Sequence, residues 1–267
     1  MNRRQSLFSI AFASSLAITT IVGCGNQTET STPTGVTSPA KETVTLITSP
    51  DYPPYEFYDT SSGKKEIVGF DIDIANNIAK ELNLELKIVE SDFNGLIPAL
   101  QAKRADFVMA GMTPTDERKK NVDFSIVYFE AKDTILAPKG SKLVKPADLA
   151  GKKVGVQLGS IQEGNIKAIA KKVKGIQVVS LNKIPEIIQE IKSKRLDAAI
   201  IEDTVAQGFK DGNAELDFNV IPSEGPSGSA IAFPKGSTRV EDFNKVITKM
   251  KASGELEILV KKWFDKK

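Results

Sequence analysis

Short apolar runs alternate with four-residue apolar repeats along the chain from residue 43 onward. The run at 44–48 predicts a buried strand, and apolar residues recur at every fourth position from Phe70 to Leu82, which predicts an amphipathic helix over 70–82. The same pattern starts again near residue 150, where residues 153–158 alternate as a strand. Strands separated by helices of this length favour parallel βαβ units, so the sequence predicts an α/β fold.

The predicted elements fall into two sets of the same kind. Each set contains strands that lead into helices, and this repetition predicts two lobes, each with a central β-sheet flanked by helices. The remaining predicted strands are 84–89, 105–110, 176–181, 197–201 and 229–233, and the remaining predicted helices are 94–103, one that opens at 160, 184–191, 240–252 and 255–264.

Two extended segments are predicted to cross between the lobes, at 129–133 and 229–233. These crossings place residues 43–130 and 232–267 in lobe 1 and residues 131–231 in lobe 2. Such a fold leaves a cleft between the lobes, and ligands of open α/β sheets bind at the carboxyl ends of strands. That rule places four groups at cleft-facing positions, namely Tyr52, 111–118, 159–162 and Glu202.

The stretch GMTPTDERKKNVD at 111–123 predicts the start of a helix. Thr113 stands at the N-cap position, Pro114 at the first helical position and Asp116 where a capping box takes an acid. Free N–H groups at such a helix start, together with the Arg118 guanidinium, make a receptor for one small carboxylate. The alternative is a capped surface helix with a solvated arginine. The cleft-facing groups of the second lobe favour the receptor.

Acidic residues also stand near the starts of two other predicted helices. Ser160 and Glu163 have capping-box spacing at the helix that opens near residue 160. Asp71 and Asp73 lie in the first turn of the helix over 70–82, where we expect them to interact with the helix dipole and not with a ligand.

The composition excludes several classes of function. The chain has no histidine and a single cysteine, Cys24, which excludes Ser-His-Asp and Cys-His catalysis and zinc sites built from those residues. The formal charge of +2 comes from Arg3 and Arg4, so the chain beyond residue 23 is close to neutral and gives no support to nucleic-acid binding.

The N-terminus has the features of a lipoprotein signal peptide. Arg3 and Arg4 precede an apolar segment at 7–22, and the IVGC run at 21–24 matches a bacterial lipobox, which predicts cleavage after residue 23 and acylation of Cys24. The alternative is an ordinary secretory signal with an incidental cysteine. Residues 24–42 are rich in Thr, Ser, Pro and Gly and predict a flexible tether, and no later segment is apolar enough to cross a bilayer.

Six motifs are spread over the body of the chain from 43 to 264, namely YPPYE at 52–56, GFDIDIA at 69–75, DFNGLIP at 92–98, MTPTDER at 112–118, GVQLGS at 155–160 and LVKKWF at 259–264. With these motifs the chain resembles the polar amino acid solute-binding proteins of ABC importers. Within that family it is most similar to the arginine or basic-amino-acid-binding lipoproteins of Gram-positive bacteria. The resemblance implies a two-lobed periplasmic-binding-protein-like (type II) fold.

The resemblance also implies roles for individual residues. Arg118 would hold the α-carboxylate of an amino acid, helped by Thr113 and by backbone N–H groups of the turn after Gly111 and near Ile161. Glu202 would bind the α-ammonium group, at a position where many relatives carry Asp. The remaining walls of the pocket would be formed by an aromatic pair and by polar side chains, namely Tyr52, Phe93, Ser49, Gln157, Ser160 and Gln162.

The charge of the ligand side chain is the open point. Relatives that bind basic amino acids can carry an acid at the position of Ser49, so a basic ligand here needs another acid, for which Asp51, Glu56 and Glu163 are the candidates. The expected order of ligands is arginine, then lysine or histidine, and glutamine or another neutral polar amino acid is the main competitor.

The leading hypothesis is therefore a binding protein without a catalytic residue, metal or cofactor. Its partners would be a free amino acid, an ABC permease with its ATPase, and the membrane through the lipid on Cys24, at the extracellular face of the cell. A dehydratase-like enzyme that uses Glu202 as acid or base, and a tethered amino acid sensor, are the alternatives on the same fold.

Overall fold

The computed structural model describes residues 41–222 and 225–265. The predicted signal peptide, Cys24 and nearly all of the predicted tether lie outside the described residues. Of the described helices, none has the length and the apolar character needed to span a bilayer.

The described strands form two five-stranded sheets and one small sheet. In chain order they are β1 Glu42–Thr48, β2 Asp51–Tyr52, β3 Glu56–Asp59, β4 Glu66–Val68, β5 Leu84–Glu90, β6 Phe107–Val108, β7 Val122–Phe124, β8 Asp133–Pro138, β9 Lys153–Gln157, β10 Gln177–Leu181, β11 Ala198–Glu202, β12 Leu216–Val220 and β13 Ala232–Pro234.

The described helices lie between these strands and at the end of the chain. They are α1 Phe70–Glu81, α2 Leu96–Gln101, α3 Asp116–Lys119, α4 Ile161–Lys172, α5 Ile184–Lys192, α6 Asp203–Asp211, α7 Arg239–Ser253 and α8 Glu255–Phe264, with 3-10 turns at Phe93–Gly95 and Pro146–Leu149.

The first lobe is built on the sheet with strand order β5-β1-β6-β13-β7. β1 pairs in parallel with β5 and β6, whereas β13, which arrives from far along the chain, runs antiparallel to β6 and β7. Val44 and Leu46 of β1 are fully buried and pack with Ile74 and Ile78 of α1 in one apolar cluster. Leu96 and its neighbours on α2 belong to the cluster on the opposite face.

The second lobe is built on the sheet with strand order β10-β9-β11-β8-β12. β9 pairs in parallel with β10 and β11, and β8 runs antiparallel to β11 and β12. The buried face of α5, which carries Ile184, Ile187, Ile188 and Ile191, belongs to the same apolar cluster as α1, so that cluster is continuous across both lobes.

Two chain segments cross between the lobes side by side. Ser229 N–H donates to Phe129 O at 2.8 Å and Tyr128 N–H donates to Ser229 O at 2.9 Å, so the crossings form an antiparallel pair. Phe129 also stacks on Phe264 of α8 at 4.5 Å between ring centroids, and Phe264 lies 4.9 Å from the Phe70 ring. Aromatic packing and backbone hydrogen bonds therefore hold the junction of the lobes together.

The structure agrees with most predicted elements and corrects three points. Six strands and one helix were missed, namely β2, β3, β4, β7, β8, β12 and α6. The last predicted strand lies at Ala232–Pro234 and not at 229–233, and both five-stranded sheets are mixed where parallel units were expected. The predicted boundaries of the lobes at 130 and 231 stay a prediction.

Replacement of Gly69 by Ala tests the packing where α1 begins. Gly69 has φ 140°, and a Cβ there would lie 2.1 Å from the carbonyl oxygen of Tyr55. Because that neighbour is backbone, we expect Gly69→Ala to lower the free energy of unfolding by about 3 kcal/mol or more, from strain and overpacking together. Urea unfolding measures the change.

Gly164 provides the control for that variant. It lies inside α4, and a Cβ added there would have no other atom within 4 Å, so Gly164→Ala is expected to stabilise the protein by about 1 kcal/mol. Equal effects of the two substitutions would contradict the close packing at Gly69.

Candidate functional site

A small cavity lies between the two lobes. Ten of its residues are ones that the sequence predicts as ligand-binding, and Ala110 is the additional one. The lining residues are Tyr52, Phe93, Ala110, Gly111, Thr113, Arg118, Gln157, Ser160, Ile161, Gln162 and Glu202. The structure thus brings together residues from the ends of β2, β6, β9 and β11.

A sharp turn after β6 forms one wall of the cavity. Gly111 has φ 55°, and a Cβ there would lie 3.1 Å from Cε1 of Tyr52, so both the conformation and the space favour glycine. Its N–H donates to Oδ2 of Asp71 at 3.0 Å, and Thr113, two residues on, is buried. The Asp71 carboxylate therefore holds the turn in place.

Arg118 lies at the same wall and reaches across to the other lobe. Its Nη1 donates to Thr113 O and its Nη2 donates to Gly159 O, both at 2.9 Å, and its guanidinium carbon lies 5.4 Å from the centre of the Phe93 ring. Burial lowers the pKa of Arg118 to about 10, which leaves the group cationic at neutral pH. The site therefore contains a positive charge that is held in place by backbone carbonyls.

The predicted helix cap at Thr113 is wrong by two residues. Thr115 is the N-cap of α3, its Oγ1 accepts from the N–H of Arg118 at 3.2 Å, and the helix has only four residues. The physical reason is that Thr115 is itself extended, with φ −69° and ψ 156°, so the helical conformation begins only at Asp116, and the Thr113 carbonyl is bonded to the Arg118 side chain. The Thr113 side chain therefore lines the cavity and does not cap the helix.

The opposite wall contains the N-terminus of α4. Ser160 is its N-cap and accepts from Glu163 N–H at 3.1 Å, as the capping-box spacing predicts, but the Glu163 carboxylate accepts from the N–H of Gly159 instead of Ser160. Ile161 begins the helix, and Gln162 donates to Asp133 at 2.9 Å. A helix of 12 residues thus points its N-terminus at the cavity, where an anion is favoured.

Glu202 lies at the end of β11 and is buried. Its Oε2 has no hydrogen-bond partner among the described residues. Burial raises the pKa of Glu202 to about 8, although the nearby Tyr55 hydroxyl acts in the opposite direction, and the charges of Asp133 and Asp203 raise it further. An unpaired buried carboxyl of this kind suits a cationic partner in the cavity.

Tyr52, Phe93 and Gln157 complete the lining. Tyr52 is buried and stacks on Tyr55 at 5.5 Å between ring centroids, and Phe93 opens the 3-10 turn before α2. Gln157 ends β9, and its side-chain amide donates to Asp51 at 3.3 Å and to the carbonyl of Asn182 at 3.3 Å. The aromatic faces and the amide form a mixed wall that suits a side chain with an apolar stem.

Ser49 is the one predicted site residue that does not line the cavity. It lines a neighbouring surface depression, and its Oγ donates to Oδ1 of Asp51 at 2.7 Å. Asp51 in turn accepts from the N–H of Ile184 at 2.9 Å, so it joins the first lobe to the start of α5 in the second. Burial raises the pKa of Asp51, although these hydrogen bonds oppose the shift.

Asp71 is a residue of the site whose place the sequence reasoning missed. It was expected to interact with the dipole of α1 and not with a ligand, and the structure adds that it is fully buried and accepts from the N–H of Gly111, which lines the cavity. The sequence did indicate this burial, because position 71 lies on the same face of the helix as the apolar residues Ile74, Ala75 and Ile78.

The arrangement can hold a small zwitterion. A fixed cation, a helix N-terminus, a buried carboxyl and two aromatic rings all line the same cavity, so each charged end of the zwitterion has a partner of opposite sign. Among residues 41–222 and 225–265 there is no group of three or more acidic, cysteine or histidine side chains placed to hold a metal ion.

Comparison with known proteins gives a family for this arrangement. The family model of the bacterial extracellular solute-binding proteins, family 3, matches residues 44–266. The arginine-binding extracellular protein ArtP of Bacillus subtilis (strain 168) is 46% identical over 226 residues, which cover 84% of this chain and 87% of that protein.

Solved structures agree with the sequence relatives. An ancestral arginine-binding protein bound to arginine is 41% identical, with a TM-score of 0.77 over 84% of this chain and 99% of that chain. An ancestral arginine-binding protein bound to glutamine is 38% identical, with a TM-score of 0.78 over 85% and 100% of the two chains. The fold is thus the two-lobed type II fold. By its matched length and its relatives, the chain belongs to family 3 of the bacterial extracellular solute-binding proteins.

Proposed function

We propose that this protein captures a basic amino acid outside the cell, with arginine preferred and lysine or histidine next, and presents it to the permease of an ABC importer. The observation that carries the proposal is a cavity between two lobes with half-buried Arg118 on one lobe and the buried, unpaired carboxyl of Glu202 on the other. These groups match the two charged ends of an α-amino acid. The relatives named for arginine support the choice of ligand.

The α-carboxylate of the ligand is assigned to Arg118. Two of the five guanidinium N–H groups already bond to carbonyl oxygens, which fixes the plane of the group and leaves three donors. The Thr113 hydroxyl and the N–H groups at the start of α4, near Ile161, supply further donors around the same cavity. Because these donors come from both lobes, a bound carboxylate favours the closed arrangement.

The α-ammonium group is assigned to Glu202. A buried carboxyl with an unpaired oxygen gains a charge-assisted hydrogen bond when an ammonium group enters. Glu is one methylene longer than the Asp of many relatives. Tyr52 and Phe93 are assigned to the ligand side chain, since aromatic faces suit its aliphatic stem and attract a guanidinium by about 0.5–2 kcal/mol.

Asp51 is assigned to the positive end of the ligand side chain. Of the three candidate acids, Glu163 is already paired with Lys167 at 2.7 Å and with Gly159 N–H, and Glu56 is fully buried among other acids. Asp51 lies directly behind Gln157, which lines the cavity, and it is also the partner of Ser49.

We also propose that the protein is anchored to the membrane by a lipid and that it binds its ligand without catalysing a reaction. We infer that Cys24 is lipidated and holds the protein at the extracellular face of the membrane through the tether at 24–42. The site groups all have a role in ligand binding, which favours transport over a dehydratase-like reaction or a sensor. A neutral ligand remains the second candidate, because one similar structure is of an arginine-binding protein bound to glutamine.

Replacement of Arg118 by Ala tests the assignment of the carboxylate. We expect a loss of arginine affinity of about 100-fold or more, because a buried charge-assisted pair is removed, while the fold stays intact. Calorimetry measures the affinity and circular dichroism checks the fold. Arg195→Ala is the control, since Arg195 pairs with Glu190 at the surface; unchanged affinity in Arg118→Ala would refute the assignment.

The raised pKa of Glu202 predicts that ligand binding releases a proton. Its pKa is raised to about 8, so at pH 7 most of the unliganded protein carries the proton, and an ammonium partner favours the ionised form. Arginine affinity should therefore rise with pH up to about 8. Calorimetry at pH 7 in buffers of different ionisation enthalpy measures the release, and Glu202→Gln should abolish it. A heat of binding that does not depend on the buffer would contradict the prediction.

Replacement of Asp51 by Asn separates a basic ligand from a neutral one. We expect arginine affinity to fall by about 10- to 100-fold and glutamine affinity to change little, because only arginine brings a positive side chain to this acid. Asp92→Asn is the matched control, since Asp92 carries the same charge at the same surface depression. Equal losses for both ligands would assign Asp51 to lobe closure alone.

A further inference from the structure

Two fully buried carboxyl groups lie beneath the cavity in the first lobe. Glu56 is on β3 and Asp71 is on α1, and neither side chain is exposed. No step of ligand binding proposed above uses either group directly. A pair of buried acids is costly unless it is neutralised or bonded, so this pair calls for an explanation.

Asp71 connects two parts of the molecule that ligand capture needs. Its Oδ2 accepts from the N–H of Gly111 at 3.0 Å, and the Tyr128 hydroxyl donates to both of its oxygens, at 2.8 and 2.9 Å. Gly111 begins the turn that carries Thr113, and Tyr128 precedes Phe129 in the first crossing. One carboxylate is thus bonded to the turn of the binding site and to the crossing.

Glu56 is the neighbour of Asp71 and has no donor of its own. Neither of its oxygens has a hydrogen-bond partner among the described residues. A buried carboxylate without a donor is unstable, whereas a protonated carboxyl is itself a donor and needs an acceptor. Asp71 lies beside it, because the N–H of Asp71 donates to the carbonyl of Tyr55, the residue before Glu56, at 2.9 Å. Burial is the main cause of the raised pKa of both carboxyls, and the charge of Asp71 raises the pKa of Glu56 further.

We propose that Glu56 and Asp71 share one proton and act together as positioning residues, which hold the Gly111 turn and tie it to the Tyr128 crossing. The proposal rests on the proposed function in so far as this turn binds the ligand carboxylate. The shared proton lets Asp71 keep its acceptor role without a second negative charge next to it.

The surroundings of the pair determine the direction of its pH dependence. The groups that face it are the acids Asp51 and Glu202 and the phenols Tyr52, Tyr55 and Tyr128. Burial raises the pKa of Asp71 to about 7 and raises the pKa of Glu56 well above its usual range. The folded state therefore holds protons that the unfolded state releases, and stability falls as the pH rises from about 4 through these raised values.

Three variants of the pair test the proposal by arginine binding between pH 6 and 10. Glu56→Gln keeps a donor that does not titrate, so its affinity should match the wild type near neutral pH and exceed it at high pH. Glu56→Leu has no donor and should lose about tenfold or more at neutral pH, as should Asp71→Asn, which lacks the charged acceptor. Because each variant is compared with the wild type at the same pH, the titration of arginine itself does not affect the comparison.

Asp73→Asn is the matched control on the same helix. Asp73 accepts from Trp263 and Lys262 of α8 and has no bond to the cavity turn, so this variant should bind arginine like the wild type at every pH. If Glu56→Gln follows the wild type at every pH, or if Asp71→Asn binds normally, the proposal is overturned.

A second measurement does not depend on the ligand. In a Glu202→Gln background, the infrared band of a protonated carboxyl group should be present at neutral pH and absent when Glu56→Gln is added. The loss of stability on going from pH 6 to 9 should also become smaller with Glu56→Gln. Absence of the band would overturn the shared proton even if arginine binds, whereas a failure of arginine to bind would refute only the proposed function.

Discussion

The central constraint on this molecule is a positive charge that is held where the two lobes meet. Arg118 belongs to the first lobe, but one of its donors bonds to the carbonyl of Gly159 in the second. A guanidinium is stable in such a place only when its donors have acceptors. The turn after β6, the start of α4 and the contact between the lobes are all arranged around that requirement.

The acids of the site follow from the same constraint. Glu202 and Asp51 lie near the surfaces where the lobes meet, and burial raises the pKa of each. A protein that already buries a cation can accept a zwitterion because each charge finds a partner. The pair formed by Glu56 and Asp71 carries one negative charge instead of two when it shares a proton, which limits its effect on the electrostatic field in the cavity.

The sequence alone predicted the features that depend on the spacing of neighbouring residues along the chain. Four-residue periodicity predicts α1 and α5 almost to the residue, and ten of the eleven predicted site residues line one cavity. α6 was missed because its apolar residues are few and a glycine interrupts them. The inward direction of Asp71 depends on its contacts with Gly111 and Tyr128, which are distant in sequence, and Ser49 is bonded to Asp51, whose further partner is Ile184 of the second lobe. The place of the cap at Thr115 depends on the extended conformation of that residue, which the spacing of the capping residues does not contain.

The antiparallel pair of crossings at Phe129 and Ser229 has a mechanical consequence. Two strands bonded to each other resist twisting and sliding more than a single strand does, so the lobes are left mainly with rotation about one axis. A membrane partner that contacts both lobes would then sense a single coordinate, the angle between them. The ligand's identity would reach that partner only as the fraction of time spent closed.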